Sequence, residues 1–492
     1  MTDIANAPLV ETAASRAALV RDLSAGKDAG ATLAYQGEAH FGPAMRVQRY
    51  RLGNGLRVLV LVDRGAPVVS YHTWFGVGSR DEKPGKTGLA HLFEHLMFNE
   101  TKSLSAGEFD RILERNGAES NAATWLDWTY YHENLPASKL EVAVRLEADR
   151  MANLVLREKQ VSSEKEVVAN ERRYRVDDDV EGSVSELLWK TAFTAHPYHW
   201  PTIGWMEDIQ GFTTDDCATF YRTYYAPNNA VVVVVGDVAE REALAMVQRH
   251  YGALPASTIP PRVHPSEPEQ TSERRLEAAK PTATEKVMLG YKCPALDARE
   301  HVALTVLNEI LFGGRSSRVY RALVKERELA TDLRGWVGTF AEPGLWEMYL
   351  SAREGHSAAE LEGALGGLFD EIRAGEVPAE ELEKAKSRLE LAFLQGMETV
   401  SGKAEQIGFY ELVLGDPGAG FARLSAYRDL TAAEVLAAAR QWIDPRRRTS
   451  IHVLPDGSVG GGDGEEGEGE GEGGEDEGAD GAYARAPKGA LR

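Results

Sequence analysis

The order of predicted elements repeats on the two sides of a Pro-rich stretch, and this repetition restricts the possible folds most. Before the stretch, strand-like runs at 57–63 and 67–79 are followed by an apolar helical segment near 87–98. After it, an apolar strand at 285–293 is followed, beyond a polar turn, by a helix at 299–314. A recurring order of elements is typical of a duplicated unit. The sequence therefore predicts two domains of similar construction.

Length supports the same division, because a chain of 492 residues is too long for one ordinary hydrophobic core. The segment PASTIPPRVHPSEPEQTSERR, rich in Pro, Ser and charge, has no helical or alternating period and predicts a linker. We predict an N-terminal extension at 1–46, a first folded domain at 47–254, a linker at 255–274, a second domain at 275–455 and a tail at 456–492.

The tail is a Gly/Glu tract with almost nothing to bury, which predicts disorder. A solubilising role is the first interpretation, and binding of cations or of a basic partner is the alternative. From Asp456 onward it holds eleven acidic and three basic residues, so the net charge of -21 leaves the folded body acidic as well. This charge, together with the lack of a Lys/Arg-rich run interleaved with aromatics, argues against a nucleic-acid backbone as the natural partner.

Two cysteines, Cys217 and Cys293, are too few for a disulfide framework or for cysteine-ligated zinc. No apolar run approaches the roughly 20 residues that span a bilayer, and the first residues lack a cationic start followed by a hydrophobic stretch. We expect no membrane partner and a cytoplasmic protein, or a periplasmic one if a leader was removed.

The segment GLAHLFEHLMFNE (88–100) contains candidate metal ligands and a candidate catalytic base. Its apolar residues recur at helical spacing, so His91, Glu94 and His95 share one face of a helix. Two imidazoles one turn apart can share a zinc ion, and an adjacent carboxylate can take the proton of an attacking water. Two partly buried histidines with ordinary hydrogen bonds are the alternative.

Zinc needs a third protein ligand, and VSSEKEVVANERRYR (161–175) offers Glu164 and Glu171. They lie two helical turns apart on the same side, because seven residues are close to two periods of 3.6. One carboxylate would bind the ion and the other would orient a ligand. A charged, solvated helix face is the alternative interpretation of this segment.

Together these motifs resemble the pitrilysin family of inverzincins, particularly its short bacterial members similar to the mitochondrial processing peptidase. The family signature is HxxEH followed by a Glu, and here 75 residues separate His95 from Glu171. The resemblance implies a Zn²⁺ cofactor held by His91, His95 and Glu171. It makes Glu94 the catalytic base and gives Glu164 the place of the family's supporting carboxylate in the catalytic machinery.

The likeness extends from about 47 to 455 through four further segments, at 117–136, 196–209, 224–237 and 312–330. It implies an α+β fold in which each domain is a mostly antiparallel sheet packed with helices. It also places Asn121 and Ala122 near a sheet edge that pairs with the backbone of an extended peptide substrate.

The second copy of the motif helix lacks the zinc ligands. When 89–98 is aligned with the second helix, the facing pairs are His91 with Thr305, Glu94 with Asn308, and His95 with Glu309. The second domain should therefore be free of metal.

The family's Arg and Tyr, seven residues apart in the second domain, fall here on Val324 and Thr331, which offer neither a guanidinium nor a phenol. Arg327 could substitute after a shift in register. We expect instead a zinc metalloendopeptidase whose related partner subunit supplies that pair, as a heterodimer more readily than a homodimer. The rival functions are a scaffold subunit with a vestigial site and a zinc hydrolase of something other than peptides.

Overall fold

The computed structural model describes residues 13–459, so the predictions for 1–12 and for the tail from 460 on lie outside the described residues. None of the helices in the described part is long and apolar enough to cross a membrane. The strands are β1 Leu33–Phe41, β2 Met45–Leu52, β3 Arg57–Val62, β4 Val68–Phe75, β5 Glu119–Thr124, β6 Thr129–Pro136, β7 Ala230–Gly236, β8 Arg274–Lys280, β9 Lys286–Cys293, β10 Ala330–Val337, β11 Gly344–Ala352 and β12 Arg448–Pro455.

Helices connect these strands and cover the sheets. They are α1 Ala13–Ser24, α2 Leu89–Leu96, α3 Glu108–Arg115, α4 Leu140–Asn153, α5 Glu158–Arg172, α6 Val180–Ala192, α7 Met206–Gly211, α8 Thr214–Tyr224, α9 Glu240–Tyr251, α10 Arg299–Phe312, α11 Ala358–Ala374, α12 Ala379–Gln395, α13 Val400–Leu414, α14 Ala419–Asp429 and α15 Ala432–Trp442.

The first sheet has seven strands in the order β1-β2-β3-β7-β4-β6-β5. All neighbours are antiparallel except β3 and β7, which are parallel. The run of valines in β7 is completely buried because this strand lies in the middle of the sheet. Strand β5 forms an edge, and helix α2 packs against β5 and β6. The edge strand and the motif helix are therefore neighbours.

The second sheet has five strands in the order β10-β11-β9-β12-β8, again antiparallel except for one parallel pair, β8 and β12. Strands β8 to β12 follow the same chain order and the same spatial order as β3, β4, β5, β6 and β7. Helix α10 follows β9 as α2 follows β4. The predicted α+β class is confirmed, and the matching topologies support the predicted duplication.

The domain boundaries differ from the prediction in two respects. Strand β1 pairs with β2 along its length, so residues 33–41, which the sequence assigned to an extension, belong to the first sheet. The compact units are also discontinuous. Among the described residues, the first comprises 13–166, Glu207–Arg262 and Met397–Phe421, and the second comprises Val167–Met206, Val263–Gly396 and 422–459. Contacts between segments that are distant in sequence decide which unit each segment belongs to, and local sequence patterns do not encode such contacts.

Candidate metal centre

Helix α2 is fixed by its apolar face, and its other face is left for chemistry. The fully or nearly fully buried residues on the helix are Leu89, Ala90, Leu92, Phe93 and Leu96. The ring of Phe93 contacts those of Phe220 and Tyr225, with centroids 5.5 and 5.0 Å apart. Tyr131 of β6 donates its hydroxyl hydrogen to the Phe93 carbonyl at 2.9 Å. The helix can therefore neither rotate nor slide without breaking core contacts.

The remaining face carries the predicted motif. His91 is buried, at 8% exposure, while Glu94 and His95 are partly exposed. The two imidazole rings have centroids 5.0 Å apart and an interplanar angle of 70°. The i, i+3, i+4 spacing thus gives the shared face that the sequence predicts.

Helix α5 brings the two predicted carboxylates to this face. Its first half is joined to the segment that follows α2, since Gln160 donates an amide hydrogen to Glu100 at 2.8 Å and Asn99 donates one to Glu164 at 2.9 Å. The second oxygen of Glu164 lies 3.9 Å from Nδ1 of His95. Glu171 lies on the same helix, two turns further on.

His91, His95 and Glu171 each offer one ligand atom, and these atoms all lie within 4.8 Å of one another. Two imidazole nitrogens and one carboxylate oxygen are a donor set that suits zinc and leaves a fourth position open. Arg175, in the turn after α5, lies 3.1 Å from Oε1 of Glu171 and restrains that carboxylate. The residues therefore fit the ion that the sequence predicts.

The predicted substrate residues lie on the edge strand. Asn121 is exposed, and its side-chain oxygen accepts the backbone N–H of Ala122 at 2.8 Å. Edge strands expose backbone donors and acceptors that another extended chain can use. In β5, the side-chain oxygen of Asn121 accepts the hydrogen of one such donor, the backbone N–H of Ala122.

A second group with the same residue types lies in the second unit. His196, His264 and Glu342 also offer ligand atoms within 4.8 Å of one another. The Nε2 atoms of His196 and His264 lie 2.9 and 3.0 Å from the two oxygens of Glu342. The ring of His196 accepts the backbone N–H of Tyr198 at Nδ1, at 3.1 Å. A ring nitrogen that accepts an N–H bears no proton, so Nε2 of His196 bears it.

The residues of α10 that face the motif in the alignment have structural roles. The side chain of Asn308 accepts the indole N–H of Trp346 at 2.8 Å and donates to the Gly335 carbonyl at 3.0 Å. Thr305 donates its hydroxyl hydrogen to the carbonyl of His301 at 2.8 Å, and Glu309 is paired with Arg388. These contacts give the three α10 residues roles in packing and hydrogen bonding, and a metal-free second domain stays a prediction.

Val324 packs against the core of the second unit, whereas Arg327 and Thr331 are exposed. Arg327 is therefore accessible to solvent, and its substitution for the family's Arg stays a prediction.

Sequence reasoning missed two features of these sites. Arg175 follows Glu171 by four residues, and this helical ion-pair spacing was the available signal. His196 lies in a segment that carried the family resemblance, but His264 lies in the linker and Glu342 in a turn, so no spacing rule relates the three.

Comparison with known proteins identifies the family. A family model described as insulinase (peptidase family M16) matches residues 57–204, and one described as the peptidase M16 inactive domain matches residues 211–389. Zinc protease PqqE of Helicobacter pylori is 32% identical over 425 residues, which cover 84% of this chain and 96% of that protein. The chain belongs to the M16 family of peptidases.

Two further similarities place it within the family. The crystal structure of a protease from Helicobacter pylori has a TM-score of 0.80 at 32% identity and covers 83% of this chain and 99% of its own. The mitochondrial-processing peptidase subunit beta of Lentinula edodes is 27% identical over 374 residues, or 73% of this chain and 79% of that protein. The predicted resemblance is confirmed.

Proposed function

We propose that the protein is a zinc metalloendopeptidase that cleaves peptides or unstructured polypeptides. The observation that carries this proposal is the convergence of His91, His95 and Glu171 within 4.8 Å beside a motif carboxylate, Glu94. The names of relatives, among them zinc protease PqqE, support zinc as the ion. Glu171 is the ligand from α5, and Glu164 is a positioning residue that orients His95 through its Nδ1 atom.

Lewis-acid polarisation of the scissile carbonyl and of the attacking water is the chemistry that a bound zinc ion supplies. Glu94 lies on the same helical face, one residue before His95, and accepts the proton of that water. It then returns the proton to the amine that leaves. His91 and His95 take no part in proton transfer, because their role as ligands requires neutral imidazole rings.

An extended substrate would pair with the free edge of β5. Backbone pairing reads chain conformation more than side-chain identity, so it suits loose sequence preference. For the N–H of Ala122 to bond a substrate, the side chain of Asn121 must turn away. Asn121 would then act as a cover that opens when peptide binds.

The proposed partner is a related subunit that supplies the Arg and Tyr absent at Val324 and Thr331. Similarity to a protein named as subunit beta of a processing peptidase supports a heterodimer. Efficient peptidase activity of the chain purified alone would contradict the need for a partner. The cytoplasmic location stays a prediction.

The Glu94→Gln variant tests the enzymatic proposal. It removes the proton acceptor and preserves the three ligands, so zinc content should stay unchanged. Turnover of an unstructured peptide should fall by about 10²- to 10⁴-fold. Metal analysis and peptide cleavage, with the chelator-treated wild type as reference, measure the two effects. Retention of turnover by the variant would refute the role of Glu94.

A non-catalytic scaffold or assembly subunit with a vestigial metal site is the second candidate. It is favoured by Val324, which is partly buried against the core, and by Thr331, since neither side chain offers a guanidinium or a phenol. Zinc binding without cleavage of any unstructured peptide, both alone and with a related partner, would favour this candidate. A chain that binds zinc and cleaves only non-peptide substrates would favour a different hydrolase.

A further inference from the structure

The start of helix α2 is held by a carboxylate that lies outside the HxxEH motif. Gly88 is the N-cap residue and has φ 95°, so the helix begins without a side-chain acceptor of its own. Glu82, six residues upstream, fills this role. Its Oε2 accepts the N–H of Gly88 at 2.8 Å, and its Oε1 accepts the N–H of Ala90 at 2.7 Å.

Glu82 is buried, with 7% of its surface exposed. A buried carboxylate is costly unless hydrogen bonds satisfy it, and both of its oxygens are used here. The neighbouring residue Thr87 is held as well, since Asp208 accepts its backbone N–H at 3.0 Å and its hydroxyl hydrogen at 2.6 Å. Two carboxylates thus fix the entry of the chain into α2.

The consequence for chemistry follows from the length of the helix. Helix α2 has only eight residues, and His91 is the third of them, directly after Ala90. Helices fray from their ends, and loss of the first turn would displace His91 relative to His95. We propose that Glu82 is a positioning residue of the metal centre, which holds the first turn of α2 in the geometry that zinc ligation requires.

This inference rests on the proposed zinc site and adds a residue to it. The test is the Glu82→Gln variant of the full chain, which keeps the shape of the side chain but sets an amide group against one of the two N–H donors. Zinc affinity, measured by competition with a chromogenic chelator, should fall by about 10- to 100-fold. Zinc affinity of the wild type measured in the same assay tests the proposed site itself, so the two can fail separately.

The matched control is Glu267→Gln. Glu267 accepts the backbone N–H groups of Thr194, Ala195 and His196 at 2.9 to 3.0 Å, in the loop that carries the second cluster. This variant makes the same chemical change at another backbone-bound carboxylate and should leave zinc affinity unchanged. If both variants lower the melting temperature but Glu82→Gln binds zinc as tightly as the wild type, Glu82 is merely structural and the proposal is wrong.

Amide hydrogen exchange keeps the test decisive if Glu82→Gln does not fold. In the zinc-free wild type, the amides of Gly88 and Ala90 should exchange as slowly as those of the buried face of α2. Exchange at the rate of an unstructured peptide would show that Glu82 does not hold the first turn, and would overturn the proposal.

Discussion

The two clusters of two histidines and one glutamate differ in the groups that contact their imidazole nitrogens. In the first, Nδ1 of His95 faces an oxygen of Glu164 at 3.9 Å. A carboxylate on that side favours the proton on Nδ1 and leaves the lone pair of Nε2 for a cation. In the second, Nδ1 of His196 accepts the N–H of Tyr198, so the proton lies on Nε2 and points at Glu342.

His264 strengthens the contrast, because its Nδ1 lies 3.3 Å from the Pro265 carbonyl and its Nε2 lies 3.0 Å from Glu342. Both ring nitrogens thus face oxygen acceptors. Nε2 of both rings lies within hydrogen-bond distance of Glu342, and in His196 this nitrogen bears the proton, so the His196 ring presents no lone pair on that side. We infer that the groups bound to the outer ring nitrogens would separate a metal site from a hydrogen-bonded cluster of the same residue types.

The number of zinc ions bound per chain is the strongest test of the difference between the two clusters. We predict about one zinc ion per chain, and less than about one tenth of an ion after His91→Ala, His95→Ala or Glu171→Ala, because each removes a ligand. The matched variants His196→Ala and His264→Ala should keep full occupancy. Metal analysis after gel filtration measures all five. Two ions per chain, or loss of zinc from the His264→Ala variant, would show that the second cluster also binds metal.

Removing the charge of a carboxylate that faces a histidine ring of each cluster sharpens the comparison. Glu164→Gln should lower zinc affinity by about 10- to 100-fold, because it weakens the group that orients His95. Glu342→Gln should leave zinc affinity unchanged and lower stability by about 1 kcal/mol, the usual contribution of one hydrogen bond. Chelator competition and urea unfolding separate the two effects. Glu166→Gln, on the exposed side of α5, serves as the control and should change neither.

The sequence predicts a large part of this architecture because local patterns determine it. The valine run at 230–236 could only be a buried strand, and the spacing of Leu89, Leu92, Phe93 and Leu96 fixed which face of α2 is buried. The motif residues followed from that face. Local periodicity sufficed wherever one element determined the position of its own side chains.

Other features depend on contacts between distant segments and carry no local signal. Strand β1 was missed because Leu33–Phe41 mixes polar and apolar residues and is stabilised by its pairing with β2. The cap by Glu82 was missed because a carboxylate six residues before a glycine matches no short-range capping pattern. The choice of Glu171 over Glu164 as the proposed ligand came from family spacing, since periodicity alone places both residues on the same side of α5.

A further prediction concerns the pH dependence contributed by a lysine beside the second cluster. Lys292 of β9 has its Nζ atom 3.1 Å from the centroid of the Phe193 ring and 3.8 Å from Oε1 of Glu267. Burial lowers the pKa of Lys292 to about 7, and Glu267 opposes this shift. The unfolded chain keeps its proton up to about pH 10, so it binds more protons than the folded chain between about pH 7 and 10. Stability should therefore rise with pH across this window.

Lys292→Met should remove this rise, with a gain near pH 7 of about 4 kcal/mol relative to the wild type that disappears toward pH 10. Urea unfolding at several pH values, with chelator present, measures the difference between the two proteins. Lys286→Met makes the same substitution on the same strand, where the amine donates to Ser351 at 3.1 Å, and serves as the control. An equal pH dependence in wild type and Lys292→Met would mean that Lys292 keeps its charge when folded. The surroundings of Lys292, beside the second cluster, would then be more polar than the burial of this lysine indicates.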